Sequence, residues 1–552
     1  MKIRRTLSAL LCAAMVASMA GCNGGNTASS GTDTSSAGTS GATSSEATSS
    51  GQGKKYSGTI TINTQAGAGV EEGWKAVVDG YKKLQPNVTV NIDLKPVDGY
   101  GDWIQNMFNS KDPASDIVNI NMAGPSATGK SINFMDYADN TNPYTGQKWT
   151  DGFNFKMQTK DLAQNTWNNI CLDSVQVLWC YNKDIFKKVG VEPPTTWDEF
   201  AAVCDKIQKA GYQPLAVAGD FNSFWAGQMG WLAQIYADQT TRGMINTYRA
   251  QKGDYDYDPA VDGVWKYNAT DPFNDDPWNV NQNPVRAYKA IKDGTYAADS
   301  AGMKTVWTNL AKIFPKYAGG KSFFGTHDAT SLFYQGKAAI FLDGAWRLAQ
   351  YKRDMDNFEA GKEVTGTDSK AITGIQKFNL STFNMPSMEG EGIEAKARTV
   401  EVAVGFIGGV KKDQEHNDMV TDFLMYWSSK QGQSAYLDAT INAGGTPSGP
   451  SLVNGVELPK EYADMFSNLS FIGNCQKGNG VLIARGAPGD VQQSLRDWYN
   501  YSEQFLNGEI SVDQWASSHK ANISKYFNDS LKTAGINASD LDNPQNAPTG
   551  QK

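Results

Sequence analysis

Histidine is scarce in this chain. Only three of its 552 residues are histidines, and they lie far apart in the sequence without a neighbouring cysteine. No H-E-x-x-H segment is present, so the sequence contains no zinc-protease pattern. A Ser-His-Asp arrangement is equally unsupported, because that chemistry needs a histidine held beside its nucleophile. The sequence therefore predicts neither a metal site nor a catalytic triad.

Cysteine is also scarce. Six cysteines are present, and four of them follow Cys22. Four cysteines in so large a body do not make a disulfide framework. A bridge between Cys171 and Cys180 stays open at this point, whereas Cys204 lies on the apolar face of a predicted helix and is interpreted as a small core residue.

Long apolar runs are missing except for a short one near the N-terminus. Residues 6–20 are apolar, follow a basic segment and end in small residues, which is the layout of a secretory signal peptide and is too short to span a bilayer comfortably. The run ends in SMAGC (18–22), which resembles a lipoprotein cleavage box with Met19 where the pattern prefers Leu. We predict a signal peptide over residues 1–22, with Cys22 carrying the lipid.

The segment after Cys22 contains almost nothing that could be buried. Residues 23–53 consist mostly of Gly, Ser and Thr. Such a composition cannot form a core, so we predict a disordered linker over residues 23–57. The expected localisation is the cell membrane, with the body held on the extracytoplasmic face through the lipid alone.

An excess of basic charge is absent as well. The chain has 50 basic and 58 acidic residues, without a block of Lys or Arg. This balance excludes nucleic acid as the expected partner.

Two loop patterns resemble ligand-binding motifs but lack essential parts. The glycines at 67, 69 and 73 do not have the G-x-G-x-x-G spacing, and Glu71 and Glu72 would face a bound pyrophosphate. The aspartates at 254, 256 and 258 are followed by Pro259 where a calcium loop needs Gly. The sequence therefore predicts no cofactor.

The body opens with a βαβ pattern. Residues 58–63 alternate, a helical apolar stripe follows with Trp74, Val77 and Tyr81, and residues 88–94 alternate again. We expect the two strands to be parallel, with a right-handed helical crossover.

Further strands and helices alternate along the chain. Strands are predicted at 116–120, 174–181, 214–218 and 337–342, and capping boxes begin helices at Thr196 and Ser511. This alternation predicts an α/β fold. Residues 238–300 lack periodicity and are interpreted as an inserted, partly ordered loop region.

Polar and aromatic side chains follow the predicted strands. In open parallel sheets, ligands bind beyond the carboxyl ends of strands. Residues in these positions are Glu71, Asn121, Asp220, Trp225, Asp343 and Trp346. Carboxylates and amides suit sugar hydroxyls, and indole rings suit the C–H faces of a pyranose. The pattern favours a carbohydrate ligand.

Four segments, in order, resemble family 1 extracellular solute-binding proteins. LWCYNKDIFKKVG (178–190) with PPTTWDEF (193–200) is similar to the family's main signature, and GYQPLA (211–216) fits its next strand. FYQGKAAIFLDGAW (333–346) and NGEISVDQ (507–514) resemble two later segments. The resemblance covers about residues 57–530, and the 238–300 region departs from it.

The resemblance implies two α/β lobes of the periplasmic-binding-protein type, with hinge-crossing strands and a central ligand cleft. Residues 58–175 and 380–448 would form lobe 1. Residues 176–379 and 449–540 would form lobe 2, with 238–300 as its insertion.

The resemblance also implies a mechanism, partners and site residues. Trp346 matches the position where family members stack a sugar ring, and Asp220 to Trp225 match another binding segment. Asn121, Glu71 and Asp173 fall near contact positions of lobe 1 and the hinge. We expect a monomer, not an enzyme, that binds a carbohydrate and delivers it to the permease of an ABC importer.

Three alternatives stay open. The ligand could be a different solute, such as a peptide or a polyol. A secreted glycoside hydrolase would need two carboxyl groups about 5–10 Å apart across the cleft. An adhesin for insoluble polysaccharide would need an exposed planar row of aromatic rings.

Overall fold

The computed structural model describes residues 54–160, 165–366, 370–467 and 469–550. The predicted signal peptide, the lipidation at Cys22 and most of the predicted linker lie outside the described residues. Within these ranges, no helix combines the length and the apolar character that a membrane span needs.

Nine strands in the described ranges form two sheets. Their bounds are β1 Gly58–Asn63, β2 Val88–Ile92, β3 Ile117–Asn119, β4 Asp173–Asn182, β5 Gln213–Ala216, β6 Ala338–Gly344, β7 Leu380–Phe383, β8 Glu401–Val404 and β9 Ile407–Gly409. The first sheet has the order β2-β1-β3-β9, and the second has the order β5-β6-β4-β7 with β8 also paired to β4.

Seventeen α-helices surround these sheets in the described chain. Their bounds are α1 Val70–Leu84, α2 Tyr100–Asn109, α3 Lys183–Val189, α4 Trp197–Lys209, α5 Phe221–Ala226, α6 Gln228–Thr241, α7 Ile245–Tyr248, α8 Pro284–Lys292, α9 Ala301–Ile313, α10 Thr330–Tyr334, α11 Trp346–Glu359, α12 Gln414–Trp427, α13 Lys430–Asn442, α14 Lys460–Phe466, α15 Gln492–Leu506, α16 Val512–Lys525 and α17 Phe527–Ala534. Both predicted capping boxes are confirmed, at Thr196 and at Ser511.

The opening βαβ unit is confirmed. β1 and β2 are parallel, with Ile60 paired to Val90. Helix α1 buries Trp74, Val77 and Tyr81, the stripe that the 3.6-residue period selects. These side chains belong to the apolar core of the first sheet.

The second sheet is built around β4. All but the first of its ten residues are buried, because helices cover both faces of the sheet. β4 is antiparallel to β6 and β7, while β5 is parallel to β6. One face carries the largest apolar core, which includes Trp179, and the other face carries a smaller core, which includes Leu178.

The chain crosses between the sheets through β4 and β8. Asp173 at the start of β4 pairs with Val404 at the end of β8. After Gly405 and Phe406, strand β9 joins the first sheet beside β3. We call the elements packed on the first sheet the first lobe and those packed on the second sheet the second lobe. The predicted two-lobe α/β architecture with crossing strands is confirmed, and the residue bounds given for the lobes stay a prediction.

The 238–300 region is fastened to the second lobe by buried ion pairs. It begins inside helix α6 and includes the short helices α7 and α8. Arg398, which is 1% exposed, donates from Nε to Asp238 on α6 at 3.0 Å and from Nη2 to Asp275 in the region at 2.9 Å. Lys477 forms a further ion pair with Asp276.

The bridge between Cys171 and Cys180 that the sequence left open is not formed. Cys180 is a free, buried thiol on strand β4. Extended backbone rises about 3.3 Å per residue, so two positions nine residues apart along a strand lie much farther apart than the ~7 Å that a disulfide allows between Cα atoms. Cys204 is buried in the core, as predicted.

His519 on helix α16 gives the fold a pH dependence. It has no exposed surface, and its Nε2 lies 2.8 Å from the Ile483 carbonyl, which can only accept. The Tyr501 hydroxyl therefore donates to Nδ1, at 2.7 Å. Burial lowers the pKa of His519 from 6.5 to about 4.

We expect this lowered pKa to cost stability in acid. The unfolded chain binds a proton near pH 6.5, so the contribution of His519 is complete above that pH and is lost as pH falls toward 4, by about 3 kcal/mol. His519→Gln keeps one hydrogen-bond donor and one acceptor. It should remove the pH-dependent part of the stability that His519 contributes. Urea unfolding from pH 7.5 to 4.5 measures it, and an identical pH slope in both proteins would contradict the assignment. Asp173 and Glu401, whose pKa values are raised, act in the opposite direction and are common to both proteins.

Candidate ligand-binding site

Strand ends from both lobes converge on the start of β4. Gly344, the last residue of β6, pairs with Val177 of β4. Strands β1 and β3 of the first lobe end at Asn63 and Asn119. Asn119 Nδ2 donates to the Gly405 carbonyl at 3.0 Å, in the link that follows β8. This is the edge at which an α/β sheet binds ligands.

Asp173 is an unpaired carboxylate at this point. Its backbone is held by pairing with Val404 and Ser451. Within the described residues, no group donates a hydrogen bond to its side chain, and burial raises the pKa of Asp173 to about 6. The residue nevertheless keeps partial exposure. The carboxylate is therefore able to accept hydrogen bonds from a ligand.

Tyr436 lies next to Asp173 on the first lobe. Burial raises the pKa of Tyr436, and the nearby Asp173 charge raises it further. The Tyr436 ring packs edge-on against Trp74, with ring centroids 5.3 Å apart. A Cβ on Gly73 would overlap the Tyr436 ring and the Thr440 hydroxyl, so glycine allows helices α1 and α13 to approach this closely.

Trp346 begins helix α11 beside the crossing strand. The preceding amide, of Ala345, donates to the Gln176 carbonyl at 2.8 Å. Gln176 is three residues from Asp173, or roughly 10 Å along the strand. Trp346 is 2% exposed and packs edge-on against Trp231, with centroids 6.3 Å apart. Both indoles belong to the largest apolar core of the second lobe.

Trp225 is paired with a buried cation. The Arg485 guanidinium lies 5.8 Å from the centroid of the Trp225 ring and donates to the Trp225 carbonyl. Burial lowers the pKa of Arg485. The indole Nε1 of Trp225 is buried without an acceptor among the described residues. It is a donor that a ligand oxygen could satisfy.

Asp220 positions Trp225 by capping helix α5. One carboxylate oxygen accepts from the Asn222 amide at 3.1 Å, and the other accepts from the Ser223 hydroxyl at 2.6 Å. An N-cap of this kind satisfies orphan amides at the start of the helix. Asp220 therefore acts on the site through the helix that carries Trp225.

Asp343 is committed to a buried ion pair. Its Oδ2 accepts from Arg347 Nε at 2.6 Å, and its Oδ1 accepts from the Gly344 amide at 2.8 Å. Arg347 Nη1 also donates to the Tyr334 hydroxyl at 3.2 Å. The pair anchors the first turns of α11 to the end of β6, and Trp346 lies on that turn.

Glu71 and Asn121 are the two remaining predicted site residues. Glu71 is exposed and pairs with Lys75 at 2.6 Å along helix α1. Asn121 is half-buried in the 3₁₀ segment Ile120–Ala127. Trp346 is linked to the strand that begins at Asp173 through the Ala345–Gln176 hydrogen bond, and Trp225 belongs to the same apolar core as Trp346. The sequence reasoning missed Tyr436 and Arg485, which have no strand end or motif to mark them.

Other locations in the described residues have fewer features of a ligand-binding site. Among the residues that the structure describes, no cluster of three or more His, Cys, Asp or Glu side chains could hold a metal ion. A surface hollow lined by Tyr212, Gln335 and Lys337 lies at the amino ends of β5 and β6. That edge is opposite to the one where α/β sheets bind ligands.

Comparison with known proteins identifies a family and a relative that match more than half of this chain. The family model for bacterial extracellular solute-binding proteins matches residues 67–434. An uncharacterized ABC transporter extracellular-binding protein of Pyrococcus horikoshii is 26% identical over 338 residues. The match covers 58% of this chain and 63% of the length of that relative.

Solved structures share the fold. The cyclic alpha-maltosyl-1,6-maltose binding protein of Arthrobacter globiformis superposes with a TM-score of 0.55 at 13% identity, covering 86% of this chain and 100% of that one. The apo form of RafE from Streptococcus pneumoniae superposes with a TM-score of 0.52 at 15% identity, covering 86% and 99%. At these identities the likeness concerns the fold alone.

We expect Asp343→Asn to reduce stability because it leaves the Arg347 charge buried and unpaired. Breaking such a pair costs about 3 kcal/mol or more. The matched control is Asp464→Asn, which removes the exposed Asp464–Lys460 pair at the same i, i+4 spacing and should cost below about 0.5 kcal/mol. Chemical denaturation measures both, and equal losses would show that the buried pair has no special role.

Proposed function

The chain belongs to the bacterial extracellular solute-binding proteins, and from that premise we propose that it captures a carbohydrate, in particular an oligosaccharide, between its lobes and delivers it to the permease of an ABC importer. The observation that carries the carbohydrate proposal is the unpaired Asp173 carboxylate beside Tyr436, with the indoles of Trp225, Trp231 and Trp346 on the second lobe.

This combination of groups suits a neutral sugar. A carboxylate accepts hydrogen bonds from hydroxyls, and such charge-assisted bonds are the strong ones. Indole rings contribute apolar area for the C–H face of a pyranose. An anionic ligand would be repelled by Asp173, which lacks a cationic partner among the described residues.

The comparisons support the transport role. The Pyrococcus relative is named as an extracellular-binding protein of an ABC transporter. The Arthrobacter protein is named for binding cyclic alpha-maltosyl-1,6-maltose. From these relatives we transfer to this chain the partnership with an ABC transporter and the carbohydrate class of ligand. In this proposal the protein binds its ligand without catalysis.

The N-terminal pattern completes the proposal. Lipidation of Cys22 would hold the body on the outer face of the cell membrane, and residues 23–57 would act as a tether. The protein would act there as a monomer and bind no nucleic acid.

A thermal-shift screen tests the carbohydrate proposal directly. A ligand that binds only the folded chain at about 100 Kd stabilises it by about 2.7 kcal/mol, which raises the melting temperature measurably. We expect a selective shift with one series among maltotetraose, raffinose, cellotetraose and xylotetraose, and unchanged sugars afterwards by chromatography. A shift only with peptides or polyols would replace the ligand class, and released sugar products would make the protein an enzyme.

Asp173 should make binding depend on pH. Its carboxyl accepts hydroxyl hydrogens best when ionised, so affinity for the glycan that binds should fall as pH drops below about 6. Asp173→Asn should weaken binding at pH 7.5 by about 10-fold or more and flatten the pH profile. Titration calorimetry at pH 5 and 7.5 measures both effects.

Glu401→Gln is the matched control for this prediction. Burial raises the pKa of Glu401 to about 7, but its Oε2 already accepts from the Ile472 amide at 2.8 Å. The control should keep the pH profile of the parent protein. If the profile disappears in this variant and persists in Asp173→Asn, the assignment to Asp173 is wrong.

A further inference from the structure

One lysine lies between aromatic rings that belong to different lobes. The Lys160 ammonium is 3.4 Å from the centroid of the Phe155 ring and 3.7 Å from the centroid of the Trp278 ring. It also donates a hydrogen bond to the Phe155 carbonyl at 2.8 Å. Lys160 thereby fixes Phe155 and Trp278 to each other.

The two rings are anchored independently. Phe155 packs edge-on against Trp167, with centroids 5.0 Å apart, in the core of the first lobe. Trp278 is two residues beyond Asp276, which pairs with Lys477 on the second lobe. The Lys160 contact therefore joins the lobes at a point outside the crossing strands.

Aromatic rings are the main partners of the Lys160 ammonium. No carboxylate among the described residues pairs with Lys160, and burial lowers the pKa of its ammonium to about 7. An ammonium over an indole gains most when it is desolvated. The contact is therefore available to the charged form of Lys160, which predominates below that pH.

We propose that Lys160 and Trp278 form an interlobe clasp that positions the lobes for ligand binding without touching the ligand. The inference rests on the proposed function, because it assigns to the inserted 238–300 region a part in the closing of that cleft. Apparent affinity scales with the fraction of molecules in the binding-competent orientation. Stabilising this orientation from outside the cleft therefore tightens binding.

The contact also argues against a second use for Trp278. A sugar stacks on an open face of an indole, whereas a face of Trp278 is covered by the Lys160 ammonium. On that face the ring holds the lobes together and is closed to a sugar.

The test uses Trp278→Leu and Lys160→Met, which keep apolar bulk and remove the ring or the charge, together with the double variant. The matched control is Trp265→Leu in the same region, because the Trp265 ring lies 5.4 Å from Arg249 of that region and does not bridge the lobes. Two readouts are measured. One is affinity for maltotetraose, raffinose, cellotetraose and xylotetraose, and the other is an interlobe distance in the ligand-free full chain.

The distance is measured with spectroscopic labels on keto amino acids that replace Asp139 in the first lobe and Lys460 in the second, both highly exposed. We expect each clasp variant to weaken affinity about 3- to 30-fold and to broaden the distance distribution. The double variant should equal either single one, since both remove one interaction. The control should leave both readouts unchanged.

The outcomes separate the clasp from the proposed function. An unchanged distance distribution in both clasp variants would overturn the clasp, as would unchanged or tighter affinity. If Trp265→Leu has the same effects, the changes reflect a general disturbance of the inserted region, and the clasp proposal is overturned. If none of the four sugars binds the parent protein, the carbohydrate proposal fails while the distance measurement still decides on the clasp.

Discussion

The buried guanidinium of Arg398 connects a helix, the inserted region and a crossing strand of the second lobe. The arrangement of both lobes depends on this connection. Arg398 holds Asp238 of helix α6 and Asp275 of the inserted region, and strand β8 begins three residues later, at Glu401. Burying these charges costs several kcal/mol per ion unless each finds its partner. Helix, insertion and crossing strand must therefore assemble together. The same network determines the route of β8 between the lobes and the place of Trp278.

The crossing strands bring the hinge and the ligand site to one point. Asp173 is the first residue of β4, and its carboxylate is the acceptor in the proposed site. Its partner Val404 precedes Gly405 and Phe406, whose φ angles are 114° and 49°. A rotation of the lobes about this link changes the surroundings of Asp173 directly. In the proposed function, ligand contact at Asp173 and lobe movement would be parts of one equilibrium, as a population shift requires.

Local sequence patterns predicted the helices and strands of this fold. The candidate site was harder to predict, because the partners of its side chains come from distant parts of the sequence. The apolar stripe of Trp74 and the capping box at Thr196 depend on neighbours within a few residues, so the sequence contains them in full. The strand-end rule selected Trp225, Asp343 and Trp346, and their part in ligand binding stays a prediction. It could not show that Asp343 is committed to Arg347, because that partner becomes evident only in three dimensions. Tyr436 and Lys160 contact residues far away in the sequence, Trp74 and Trp278 respectively, so no local pattern marks them.

Strand β9 closes the first sheet from far along the chain. Asn119 of β3 pairs with Ile407, so the first sheet remains incomplete until every strand of the second sheet has been synthesised. Contacts between such distant segments slow folding, because a long loop must close before they form. If the predicted signal exports the chain, this delay would be useful. The polypeptide would cross the membrane before its N-terminal lobe is finished, and the proposed cleft would form on the outer side.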